Sequence, residues 1–356
     1  MRKTISVALC TLLAVFLVNP AIVHAQTGLN WGEGFDVGLY QPGTKYAQAG
    51  MTFLNIDPTA RVAALGGTRA SATGTEEDIF ANPAAMAMMD GIGVTLSRTN
   101  WLVDIGITGA AAAFSAGNYG VFGVSLVNVD YGDIPRTIPY KGYDPDLRNQ
   151  GYIQTGTFSP SDYAIGLSYA RQIISQFYAG ANVKWAYENL GDVPVIDELT
   201  GETVTAKNSV NNIVLDFGTL YYPGFKDLRF GVNFRNFSNQ SDYYNQRFEL
   251  PLTFDFGIAM DLMTLFTDQS NNKLTLALDA VHPRDYSERV NMGLEYSLSD
   301  ILFLRGGYKF NSSEQGLSAG LGVDYDLGGV GIKADYAYSA FGLFGAVHRF
   351  TIGFGL

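Results

Sequence analysis

The chain has 356 residues, with 23 basic and 34 acidic side chains, a formal charge of −11 and a single cysteine. This acidic balance excludes nucleic acid as a partner, which needs a basic footprint. Only 16% of residues are charged while 13% are aromatic, including 21 Tyr and 23 Phe; aromatic girdles at two membrane interfaces use such a composition, whereas a large soluble β-protein needs polar outer faces.

Residues 1–25 read as a secretory signal peptide. Arg2 and Lys3 precede an apolar run from Val7 to Val18, and Asn19-Pro20 leads to the small-residue end Val23-His24-Ala25. The run is shorter than the ~20 residues of a spanning helix. Leu9 before Cys10 fits a lipoprotein site poorly. Cleavage after Ala25 removes the only cysteine, excluding disulfides, thiol chemistry and Cys-ligated metal, and leaves 21 basic against 34 acidic residues, a charge of about −13. No later stretch is apolar enough for a membrane helix.

Residues 26–90 form an N-terminal segment and a helical plug. The part 26–50 is rich in Gly, Gln, Asn and Tyr and has no clear period. Asp57-Pro58 offers an N-cap and a proline at the first helical position, predicting a short helix over Thr59 to Leu65 ended by Gly66-Gly67. A second is predicted within Glu76 to Met89, reset at Asn82-Pro83. Helices this short need a surface to pack on, which a barrel's lumen or periplasmic mouth supplies.

Residues 91–356 repeat a period of two. Leu317-Ala319-Leu321-Val323-Tyr325 alternates with Ser318-Gly320-Gly322-Asp324-Asp326, and Val330-Ile332-Ala334-Tyr336-Tyr338 with Gly331-Lys333-Asp335-Ala337-Ser339. One face of each strand is greasy; the other is polar, charged or glycine. The fold class is therefore all-β, a transmembrane antiparallel β-barrel of about 14 strands with a short helical N-terminal plug. Strands are predicted over 91–99, 104–115, 118–130, 161–172, 175–189, 209–221, 227–237, 248–262, 272–281, 287–297, 301–310, 315–327, 329–339 and 343–356. Tight turns alternate with longer polar loops at 131–160, 190–208 and 238–247, while the 262–272 turn is long for its side. Alternation places Lys184, Glu188, Asp216, Arg229, Arg235, Asp255, Asp279, Arg289, Glu295, Arg305, Lys309, Asp324, Asp335 and Arg349 inward. Mixed signs at this density predict paired charges in a plugged lumen rather than an ion-selective pore.

The ordered set Phe53-Leu54-Asn55-Ile56-Asp57-Pro58-Thr59-Ala60-Arg61, Ala64-Leu65-Gly66-Gly67 and Asn82-Pro83-Ala84 resembles the opening of the PorV/PorQ family, within the larger group of FadL-like outer-membrane barrels. Leu96-Ser97-Arg98-Thr99-Asn100-Trp101-Leu102, Tyr131-Gly132-Asp133-Ile134 and Phe158-Ser159-Pro160-Ser161-Asp162-Tyr163-Ala164, running into Leu167-Ser168-Tyr169-Ala170-Arg171, are similar too. So is the ending His348-Arg349-Phe350-Thr351-Ile352-Gly353-Phe354. The final Leu356 departs from the terminal Phe of the usual assembly signal. The resemblance implies a fourteen-stranded barrel with an N-terminal plug, in the outer membrane of a Gram-negative-type bacterium. It implies either handling of exported proteins in a type IX-like secretion pathway or FadL-like passage of hydrophobic small molecules through the barrel wall.

Candidate residues follow from both readings. Arg61, Gly66, Gly67, Asn82 and Pro83 are either structural ties of the plug or parts of a movable gate. Phe53, Leu54, Met86 and Met89 are candidates to line an apolar pocket for a hydrophobic small molecule. Trp101, Tyr140 and Tyr143 are candidates to bind a secreted cargo protein or secretion machinery, Trp101 being alternatively part of the aromatic girdle that meets outer-membrane lipid. No enzymatic activity, cofactor or metal is expected. His282 and His348 are the only histidines after the leader, and neither has a serine arranged beside it. The acidic stretch from Asp192 to Glu202 and the Asp144-Asp146 pair lack the spacing of a calcium loop.

Overall fold

Alternating small and bulky side chains can satisfy two environments only if the strands close on themselves, since an open sheet leaves unpaired edges. The computed structural model describes residues 49–356, except 71, 73, 143, 192, 197–202, 207, 244–245, 268–270 and 314. The signal peptide, residues 26–48 and Tyr143 lie outside the described residues. In chain order the strands are β1 (Ile92–Asn100), β2 (Gly106–Ser115), β3 (Val121–Asp130), β4 (Ile134–Pro139), β5 (Tyr152–Phe158), β6 (Ser161–Ile174) and β7 (Phe177–Asn189). Next come β8 (Val193–Ile196), β9 (Thr203–Ala206), β10 (Ser209–Tyr221), β11 (Arg229–Phe237), β12 (Ser241–Tyr243), β13 (Gln246–Phe248) and β14 (Thr253–Asp261). The last six are β15 (Asn272–Pro283), β16 (Arg289–Leu298), β17 (Leu302–Phe310), β18 (Leu317–Asp326), β19 (Gly331–Ala340) and β20 (Ala346–Gly355).

Fourteen of these form a closed antiparallel barrel in the order β1-β2-β3-β6-β7-β10-β11-β14-β15-β16-β17-β18-β19-β20. Closure pairs β1 with β20, from Gly93 opposite Gly355 to Asn100 opposite His348. Ile92, Val94 and Leu96 of β1 point out, while Thr95, Ser97 and Thr99 are buried inside. The outward faces carry apolar side chains with aromatic groups near both rims: Phe114, Phe122 and Tyr169 near one, Tyr163, Trp185 and Tyr187 near the other.

Two features depart from the sequence reading. The polar loops predicted at 131–160, 190–208 and 238–247, which share one rim, carry strands that the reading did not include, in the hairpins β4–β5, β8–β9 and β12–β13. The strand expected to begin at 248 begins at Thr253, because Gln246–Phe248 pairs with Ser241–Tyr243 instead and Pro251 offers no N–H to a ladder. On the opposite rim, the long 262–271 connection holds a 3-10 turn (Leu262–Leu265), with Met263 N and Leu274 N both donating to Asp261 Oδ1, at 2.9 and 2.8 Å.

Residues 49–90 thread the barrel from end to end. At the long-loop rim Ala49 bridges Glu249 and Gly50 N donates to Glu249 O at 3.1 Å. A 3-10 turn (Thr52–Asn55) leads to α1 (Ala60–Ala64). Here Asp57 is not the cap: Thr59 occupies that position, and the orphan Ala60 N–H donates to Thr351 Oγ1 of the wall at 2.9 Å. Gly66 and Gly67, at φ 67° and 77°, turn the chain out of the helix. Two 3-10 helices follow, Glu76–Phe80 and Pro83–Met88, separated at Asn82, whose Oδ1 accepts Ala84 N at 3.1 Å. The segment leaves at the short-turn rim, where Ser115 N donates to Gly91 O at 2.8 Å.

Candidate functional site: the plug and the lumen it divides

The plug meets the wall in two different ways. Against β2–β10 the contact is mostly apolar, crossed by Asn82 Nδ2 donating to Thr219 O at 3.2 Å, and β11 adds Asn233 Nδ2 donating to Ala81 O at 2.5 Å. Met51, Phe53 and Leu54 pack on Ile107, Val129, Ala164, Ala186 and Val214, and Ile79, Met86 and Met89 pack on Ala111, Ala113, Val121 and Ala170. Against β14–β20 it is held by polar bonds. Arg61 grips Glu295 through Nε and Nη2, both at 3.2 Å; Glu295 also accepts Arg305 Nε at 2.6 Å, and Arg305 reaches Asp335. Arg69 pairs with Asp57, while Arg69 N and Ala70 N donate to Asp279 Oδ2 at 2.7 and 2.9 Å. Ser318 Oγ accepts Gly66 N and donates to Ala64 O, each at 3.0 Å, and Asn291 Nδ2 donates to Gly67 O at 3.1 Å. Such charge-assisted and backbone-directed bonds answer the cost of burying these groups.

Close approach depends on inward glycines. A methyl group at Gly180 would lie 2.5 Å from Pro83 C, and one at Gly293 2.7 Å from Leu65 O; Gly218 and Gly307 leave still less room, against Asn82 and Gly66. Glycine on the inner face therefore seats plug backbone directly on wall backbone.

Cavities follow the same division. On the polar side, one of about 290 Å³ opens near the long-loop rim, and its charged lining is Arg69, Arg235, Arg289, Lys309 and Arg349 against Asp57, Asp255 and Asp285. A second, of about 400 Å³, lies toward the short-turn rim and includes Glu77, Arg229, Glu295, Arg305, Lys333 and Asp335. On the apolar side there is space of only about 30 Å³, bounded by Phe53, Leu54, Ile56, Ile79, Phe80, Val127 and Ala164 together with Lys184, Asp216 and Arg235.

The wall is irregular beside that small space. Leu215 pairs with Phe237 and Phe217 with Phe234, so Asp216 alone faces Arg235 and Asn236. This is a β-bulge. Asn236 takes φ 60°, and both bulged side chains turn inward and are buried. Arg235 Nη2 donates to Leu54 O at 3.1 Å, Asn236 Nδ2 to Asn55 Oδ1 at 3.0 Å, and Lys184 Nζ to Asn236 Oδ1 at 2.8 Å. Phe217, Phe234 and Phe237 flank the bulge on the exposed outer face.

Three consecutive acids of the plug, Glu76, Glu77 and Asp78, are buried. Asp78 Oδ2 accepts Gly74 N and Thr75 N, both at 2.7 Å. Burial first, then Asp335 and Glu76, push the Glu77 carboxyl up to about 8 against the pull of Arg61 and Lys333. Burial opposes the charge of Arg61, yet Glu295 holds its guanidinium above the usual range.

The residues singled out from sequence fall in different places. Arg61, Gly66 and Gly67 lie on the polar seam. Asn82 and Pro83 sit on Gly180 and Gly218, with Asn82 Nδ2 donating to Ala70 O at 2.6 Å. Phe53 and Leu54 line the small apolar space, whereas Met86 and Met89 belong to a separate cluster nearer the short-turn rim, so the four do not share one pocket. Trp101 is neither an exposed anchor nor part of an outer girdle: it meets Phe341 edge-on at 4.9 Å, under the Arg349 guanidinium at 5.4 Å. The Tyr140 hydroxyl accepts Asp144 N at 3.0 Å within its loop, beside α2 (Pro145–Gln150). Sequence reasoning missed Arg69 and Asn236. Phe234-Arg235-Asn236-Phe237, with two polar residues between outward phenylalanines, is the mark that reveals the second.

No model of a known protein family matches this sequence, and no curated protein matches it. Solved barrels do. The Ralstonia pickettii toluene transporter TbuX superposes with a TM-score of 0.50 at 16% identity, over 84% of this chain and 97% of that one. The Pseudomonas putida toluene transporter TodX gives 0.52 at 13% identity, over 82% and 96%. The likeness is one of fold.

Proposed function

We propose that this chain is a FadL-like outer-membrane barrel that passes a hydrophobic small molecule from the lumen through its wall. The bulge between β10 and β11 carries this reading. There the hydrogen-bond ladder is broken beside the plug, the inner side adjoins the apolar space at Phe53 and Leu54, and the outer side is bordered by phenylalanines. An apolar solute needs such a route, because the rest of the lumen is charged and leaving it for lipid is favourable. The described arrangement is the closed state, with Leu54 and Asn55 tied to Arg235 and Asn236. The toluene transporters of similar fold support the solute class, and the apolar outer face supports the membrane location.

Uptake of radiolabelled toluene by cells carrying the protein tests the route. Deleting Asn236, which restores the two-residue register, is expected to abolish uptake while the barrel still folds. Unchanged uptake in that variant would sink the wall route.

A second reading is favoured by the three loop hairpins on successive connections of one rim. They form a raised surface along β3–β14, with Ile138 and Tyr152 exposed. A PorV/PorQ-type role, in which exported protein is handled at the cell surface, uses a surface of this kind. Co-purification of an exported protein, lost on deleting residues 134–158, is the outcome expected from it; a barrel that carries only a lipid-like molecule argues for the first reading.

A further inference from the structure

The inward positions of β15 cross the polar half of the lumen in single steps. Val281 lines the cavity at the long-loop rim, Thr275 the cavity toward the short-turn rim, and Ala277 a space of about 30 Å³ next to the latter. That space has room for about one water. Ala277 and Val281 are four residues apart, ~13 Å along a strand. Only one inward residue stands between them: Asp279, paired with Gly257 on one side and Asn291 on the other. The barrier on this face is thus one side-chain layer, closed by Arg69 N and Ala70 N on Asp279 Oδ2 and by Asn291 Nδ2 on Gly67 O.

We propose that the polar half of the lumen is a second, hydrophilic passage for small ions and polar solutes, gated at the Asp279 layer. The bonds that close this layer are hydrogen bonds between polar groups, with Arg69 and Asn291 lining the cavity on one side and Leu65 and Thr68 the small space on the other. Water can take over the Asn291–Gly67 bond at a net cost of ~0.5–1.5 kcal/mol and each bond to the carboxylate at ~1.5–3 kcal/mol. The apolar half offers such exchange only at Asn82, Asn233, Arg235 and Asn236, and parting Met86 or Phe53 from the wall there also exposes dry surface. When the plug yields, it therefore yields along β15. Charged groups of both signs line the two cavities, so a passing ion exchanges water for polar partners on either side of the layer.

Planar-bilayer recording in potassium chloride tests the gate in the folded barrel. Asp279→Ala is expected to gain a discrete conductance absent from the wild type, and Val121→Ala, which trims the apolar half, to gain none. Absence of conductance in Asp279→Ala overturns the passage, as does equal conductance in Val121→Ala, which would mean a loosened plug throughout. Thiol labelling covers the case in which Asp279→Ala fails to fold. Ala277→Cys and Val281→Cys, each in a chain freed of Cys10, are exposed on intact cells to a charged, membrane-impermeant methanethiosulfonate. Slow labelling of position 277 alongside fast labelling of 281 fits a gate that opens. Labelling of 281 alone would reduce the outer cavity to a closed pit and end the proposal.

Discussion

Asn236 is the most exposed to test of the single residues. Its backbone sits at φ 60°, where a residue with a Cβ is strained unless its side chain bonds locally, and its amide ties Asn55, Pro251 and Lys184 together. Asn236→Ala should cost about 2–3 kcal/mol in urea unfolding from lipid vesicles, and Asn236→Gly less, since glycine recovers the backbone term. Glu77 makes a prediction in pH. Its carboxyl is raised to about 8 in the folded plug, so the folded state holds a proton that the unfolded chain gives up above its ordinary value near 4.5. Stability of plug seating is then full below that ordinary value and declines as pH rises toward 8. Hydrogen exchange of residues 76–80 should accelerate across that window, and Glu77→Gln should flatten the dependence.

At the scale of elements, α1 is held by backbone contact and by one shared carboxylate. Gly307→Val would drive a side chain into Gly66 and lift the helix off β17. Trypsin, which cannot reach Arg61 or Arg69 while the plug is seated, should then cut there; continued resistance would show that the glycine floor is dispensable. Arg61→Ala leaves Glu295 with Arg305, so the carboxylate is not abandoned, and the loss should be about 2–3 kcal/mol rather than the larger cost of an unpaired buried charge. Urea melts of the two variants, read by plug-specific cleavage, separate these effects. The elements also differ in how legible they are. Strands such as β1 and β18 were readable because one face is buried and the other exposed, residue by residue. In β4 nearly every residue on both faces is exposed, so no alternation exists for the pattern to reveal. The inward set of charges was readable for the same reason as the strands. Their partners were not: which carboxylate meets Arg61 or Arg69 depends on how the plug threads the lumen, and two residues far apart in sequence carry no periodic trace of each other.

For the whole molecule, the barrel ladder and the rim are separable. β3 and β6 stay paired out to Asp130 and Ser161, and Tyr131 bonds Asp162 at 2.5 Å at the base of the loop. Deleting residues 134–158 should therefore leave the thermal transition of the barrel unchanged within error, whatever it does to partner binding. A large drop would place the hairpin in the fold rather than on it. The cavities belong to this scale too. They arise from the difference in volume between a fourteen-strand cylinder and the threaded residues 49–90, a quantity that no local window of sequence contains.

The threading of residues 49–90 has a bearing on how the molecule is made. The plug runs through the cylinder and continues without interruption into β1, and β1 is the strand that seals against β20, some 250 residues later in the chain. Plug and seam are therefore coupled through one continuous stretch of chain, and seating residues 49–90 fixes where β1 stands to receive β20. Among the barrel's pairings this one spans the greatest separation along the chain, so it carries the largest loop-closure cost and is expected to zip last, against a seam already braced from inside.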